Sequence, residues 1–140
     1  MALSATIAAL LSWAVMLSGY PQPARPPTAE YKPHPFFVGQ ACGGQECKVI
    51  GWYNDKDVVY FDNRLRGDDS AFTQSLMVHE LVHYLQNLSG KFDSHSCADQ
   101  TTREQEAYAI QRRYMAEAHG EAQFQLMRPP LCTPGTAVGQ

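Results

Sequence analysis

The chain has 140 residues, 44% of them hydrophobic, which is enough to close one small core and too little for two. A formal charge of −3, with eleven Lys and Arg scattered along the chain, excludes the basic patch on which nucleic-acid binding depends. No internal repeat is present, so the predicted elements are best taken in chain order.

Met1 to Leu17 carries no charged side chain, and Ala5 to Leu17 is almost uninterruptedly apolar. Such a run is shorter than the roughly 20 residues of a spanning helix, and residues 1–19 read as a secretory signal peptide or an N-terminal anchor. Either places the folded part outside the cytoplasm, periplasmic or secreted, with a membrane partner only if the segment is retained. Residues 20–35 hold Pro21, Pro23, Pro26, Pro27, Pro33 and Pro35, a density that predicts an extended spacer, with His34 solvated within it. The domain proper is predicted to span residues 36–132, followed by a loose tail at 133–140.

The four cysteines all follow the apolar segment, as disulfides in an exported small domain would. Cys42 and Cys47 flank Gly43-Gly44, which lets a tight loop close. Three pairings are possible, and the favoured one joins Cys42 to Cys47 and Cys97 to Cys132, the latter stapling the tail to the loop beyond the long helix. No C-x-x-C pair supports a cysteine zinc site. Lys48–Tyr53 and Val58–Phe61, rich in β-branched and aromatic residues around the polar turn 54–57, predict a β-hairpin.

A long helix is predicted from Asp69 to Leu88, capped by Asp68 or Asp69 and ended by Gly90. Val78, Leu81, Leu85 and Leu88 form its buried stripe, with His79 and His83 to one side. Residues four apart on a helix stand about 6 Å apart along its axis on nearly one face, so both imidazoles can present a nitrogen to one metal ion. Glu80 stands beside them as a proton acceptor. Two nitrogen donors, room for water and an adjacent carboxylate are the parts of a zinc hydrolase. After a loop with His95, a second helix is predicted from Thr102 to His119, its start marked by the capping boxes Thr101-x-x-Glu104 and Thr102-x-x-Gln105. Residues 121–127 read as a further short helix.

His79-Glu80-Leu81-Val82-His83, followed by Glu104-Gln105-Glu106-Ala107-Tyr108 on the second helix, resembles the gluzincin group of zinc metallopeptidases in a minimal form. In that group a glutamate on the next helix, about twenty residues beyond the second histidine, is the third ligand. Glu104 lies 21 positions beyond His83 and is the expected ligand, with Glu106 as its competitor. The resemblance implies an α+β zincin-like fold: a small antiparallel sheet packed on the HExxH helix and on a second ligand-bearing helix. It also implies Zn2+ as cofactor, Glu80 as the catalytic acid–base, and peptides or unfolded protein segments as substrates. Tyr108 replaces the family's aspartate behind a histidine ligand and can accept a hydrogen bond without supplying charge. His95, Tyr60, Tyr84 and Arg103 are candidates for oxyanion stabilisation. A zinc-stabilised, exported binding module of the same fold without catalysis is the alternative.

Overall fold

A computed structural model describes residues 2–92 and 94–122. Its order is α1 (Leu3–Ser18), β1 (Thr28–Lys32), α2 (His34–Ala41), β2 (Gly51–Tyr53), β3 (Val58–Asp62), a 3₁₀ turn at Asn63–Leu65, α3 (Ala71–Ser89) and α4 (Cys97–His119). This is an α+β fold. The expected hairpin forms, since β2 and β3 pair antiparallel from Gly51 opposite Phe61 to Tyr53 opposite Val59. Asn54 organises its turn: Oδ1 accepts the backbone N–H groups of Lys56, Asp57 and Val58.

The sheet is mixed rather than wholly antiparallel. β1 lies parallel to β3, giving the order β1-β3-β2. The spacer expected at residues 20–35 therefore needs correcting. Pro21 to Pro27 precede the strand and Pro33 and Pro35 follow it, so none removes a donor from the Thr28–Lys32 ladder. The last two prolines open α2, where a missing N–H in the first turn costs nothing. His34, expected to be solvated, is half-buried, with Nε2 2.6 Å from Glu46 and Nδ1 3.8 Å from Asp62.

The apolar N-terminal run set apart as a signal or anchor folds as α1. Ile7, Leu10, Leu11, Ala14 and Leu17 recur at helical spacing and are buried in one cluster with α3, α4 and the sheet. Trp13 meets Tyr114 of α4 edge to face, with ring centroids 5.6 Å apart, and Arg113 Nη1 donates to Leu17 O. Among the described residues no helix is long and apolar enough to cross a membrane.

α3 starts at a cap different from the one expected. Ser70 Oγ accepts the Thr73 N–H, while Asp68 braces that cap by accepting from Ser70 N and Thr73 Oγ1. Gly90, at φ 69°, closes the helix as expected. Val78, Leu81 and Leu85 are buried, but Leu88, on the final turn beyond the cover of α4, is exposed. On β3, Val59 and Phe61 face α3. On the outer face Trp52 and Tyr60 stack at 5.7 Å beneath Phe36 of α2.

α4 begins at Cys97, five residues before the expected start, because Ser96 Oγ caps it by accepting the Asp99 N–H. Thr102 lies inside the helix, its hydroxyl donating to Ala98 O. The capping boxes are thus not used, which leaves Glu104 free for another role. The Cys42–Cys47 disulfide forms as expected. Cys132, the expected partner of Cys97, most of the short helix expected at 121–127 and the expected tail lie outside the described residues.

Candidate metal centre

α3 and α4 pack along each other and bring one cluster together. A ligand atom from each of His79, His83 and Glu104 lies within 4.8 Å of the others, and all three residues are buried. Glu104 Oε1 is 2.5 Å from His83 Nε2, and Oε2 is 3.5 Å from His79 Nε2. The histidines are covered because α4 and the sheet close over both flanks of α3, leaving each only a few per cent exposed.

Each imidazole is oriented from behind. His79 Nδ1 lies 3.0 Å from Gln111 Oε1, and His83 Nδ1 2.9 Å from Gln86 Oε1. An amide oxygen only accepts, so both Nδ1 atoms carry hydrogen, and both Nε2 atoms face inward, toward Glu104. These glutamines are the site residues that sequence reasoning passed over. Their signal was helical spacing: Gln86 lies three residues beyond His83, and Gln111 seven beyond Glu104, on the faces that carry the ligands.

Among the described residues, five buried side-chain atoms lack a hydrogen-bond partner, and four belong to this neighbourhood: His83 Nε2, both oxygens of Glu104, and Glu80 Oε1. The two Glu104 oxygens face the imidazole Nε2 atoms, and a buried carboxylate so placed is costly unless a positive charge, a protonated imidazole or a metal ion, completes it. The donor set of two imidazoles and one carboxylate fits a borderline divalent ion such as zinc. The geometry thus brings His79, His83 and Glu104 together, with Glu106 outside the cluster.

Electrostatics follow from this packing. Burial alone would draw the His83 pKa down, yet the charge and close approach of Glu104 outweigh it and raise the pKa to about 9. For Glu104 burial acts upward, but the two histidines hold the carboxyl far below its usual range. Glu80 is pushed upward by burial, partly offset by the histidines. Its side chain lies directly under β2: a Cβ added to Gly51 would sit 3.3 Å from Glu80 Cγ and 3.4 Å from Oε2. Only glycine lets the strand approach that closely without moving the carboxylate.

The remaining candidates fall into two groups. Tyr108 sits against the His79 ring, centroids 4.5 Å apart, and His95 is exposed at the rim of a small cleft shared with His83, Gln86 and Arg103. Tyr60 is on the far face of the sheet, Tyr84 donates its hydroxyl to Arg25 O, and Arg103 donates to Phe92 O and Ser94 O. Those three are engaged elsewhere. Glu106, the competing ligand, accepts hydrogen bonds from Tyr20, Gln86 and Lys91. Arg113 pairs with Glu117.

Together these residues form a buried His79–His83–Glu104 cluster able to hold a metal ion, with Glu80 beside it. Comparison of the chain with known protein families, with curated proteins and with solved structures found no match to any of them.

Proposed function

We propose that this chain is a zinc-dependent peptide-bond hydrolase of gluzincin type, exported and acting on peptides or unfolded segments. The observation that carries the reading is Glu80: a fully enclosed carboxyl with an unpartnered oxygen, electrostatically coupled to His79, His83 and Glu104. A metal used only for stability gives no reason to bury an unpaired acid at that place. His79, His83 and Glu104 would hold the ion, which when bound supplies a Lewis acid that acidifies water and stabilises charge on a carbonyl oxygen.

Glu80 takes the proton from the attacking water and passes it to the leaving amine, and burial raises its pKa toward the range that suits both transfers. Gly51 keeps it in place beneath β2. Beside β3, β2 lies at the sheet edge, so an extended substrate could add to it as a further strand. The Cys42–Cys47 disulfide is compatible with an oxidising, extracytoplasmic setting.

The burial of all three ligands also favours a second reading, an exported binding module in which the ion is structural. Glu80→Gln separates the two. Under the catalytic reading the variant keeps its zinc while hydrolysis of an unfolded-protein or peptide library falls at least about a hundredfold. A wild-type chain that holds one zinc and cleaves nothing across the library supports the binding module. Glu104→Gln should lose zinc in either case.

A further inference from the structure

Imidazole ligands are commonly braced by a carboxylate at the ring nitrogen facing away from the metal, which fixes the ring and makes the ligand nitrogen more basic. Here both braces are neutral amides, yet they lead to different places. Behind His79, Gln111 Nε2 donates to Ser75 Oγ at 3.0 Å, which in turn donates to Phe72 O at 2.7 Å, so the line meets only neutral groups. Behind His83 it reaches a charge. Gln86 Nε2 donates both to Arg103 O and to Glu106 Oε1, each at 3.0 Å.

With both amide hydrogens engaged, Gln86 cannot turn over, so its oxygen must face His83. Glu106 Oε1 also accepts the Tyr20 hydroxyl at 2.5 Å, and Oε2 lies 3.3 Å from Lys91 Nζ. The carboxylate is thereby held from three sides by the segment following α1, the end of α3 and the loop beyond it. A carboxylate drawing on an amide N–H increases the electron density at that amide's oxygen, because hydrogen bonds in a chain reinforce one another.

We propose that Tyr20 and Glu106, acting through Gln86, are positioning residues for the metal ligand His83, returning by relay the negative charge that Tyr108 does not supply behind His79. The inference rests on the metal-site reading above. It makes the segment that follows α1 part of the metal centre, though Tyr20 lies 63 positions before His83 in the chain.

The test uses the full chain loaded with zinc or, for spectroscopy, cobalt. Glu106→Gln keeps an acceptor oxygen and removes the charge. It should weaken metal affinity by about tenfold, the low end for loss of a residue supporting a ligand, and shift the visible absorption of the cobalt form. Glu106→Asp should recover part of both, and Glu117→Gln, an exposed pair on the same helix, should change neither. If Glu106→Gln does not fold, Tyr20→Phe, which removes one of the three contacts positioning the carboxylate, should show the same direction with a smaller loss. Wild-type affinity and spectrum in folded Glu106→Gln or Tyr20→Phe would overturn the relay alone. A wild-type chain that binds neither metal would overturn the metal centre and the relay together.

Discussion

Removing part of the Leu11 side chain tests whether α1 belongs to the core. Leu11 is 2% exposed, inside a cluster shared with α3 and α4, so Leu11→Ala removes three carbons from a closed environment. At about 0.8 kcal/mol per buried methylene the transfer loss alone is roughly 2 kcal/mol, and the cavity left behind brings the expected cost to about 3 kcal/mol. That is a large fraction of the roughly 5–15 kcal/mol of a typical small domain. Met16, on the same helix, is 61% exposed, and Met16→Ala should cost less than about 0.5 kcal/mol. Urea unfolding of the full chain, followed by far-ultraviolet circular dichroism, gives both differences from the shift in midpoint at constant slope. Equal, near-zero effects of the two substitutions would mean that α1 is not docked in solution, and the leader reading would return.

Two further predictions concern the site. In the metal-free protein the His83 pKa is raised from 6.5 to about 9, so the stability this contributes is complete below about pH 6.5 and lost as pH rises through 9. The depressed carboxyl of Glu104 contributes stability above its ordinary value near 4.5, lost as pH falls toward its folded value. Because metal must displace the His83 proton, zinc affinity, corrected for buffer competition, should rise about tenfold per pH unit from pH 6.5 to 8, with close to one proton released per ion by calorimetry. An affinity independent of pH across that window would contradict the His83–Glu104 coupling. Gly51→Ala places a methyl 3.3 Å from Glu80 Cγ, and should lower hydrolysis at least tenfold while metal content stays at the wild-type level. Unchanged turnover would show that β2 does not position Glu80.

Signals confined to a few turns of chain were legible in the sequence. The i, i+4 histidines, the hairpin, the glycine stop at Gly90 and the Cys42–Cys47 loop each depend on residues within one or two turns of one another. The spacing of 21 positions from His83 also pointed to Glu104, which lies within 4.8 Å of both imidazoles. Errors arose where a local signal had two readings and tertiary packing chose between them. Thr101 and Thr102 offered capping boxes, but Ser96 offered a cap earlier, and the helix took it. Thr28–Lys32 is too short and too polar to announce a strand. Its partner β3 is what makes it one. Glu106 holds Gln86 and Tyr20, and Gln111 holds His79, across different elements, which spacing within one helix does not reveal.

The docking of α1 has a consequence for how the chain must be made. Trp13 emerges from the ribosome roughly a hundred residues ahead of Tyr114, the ring it packs on. At about 5–20 residues per second, this apolar helix waits on the order of 5–20 s before its last partner has been synthesised. Throughout that interval it presents to the cell the same uncharged, hydrophobic face that targeting factors and chaperones bind. Its burial is therefore a late event, and its early fate is a race between capture and the arrival of α4.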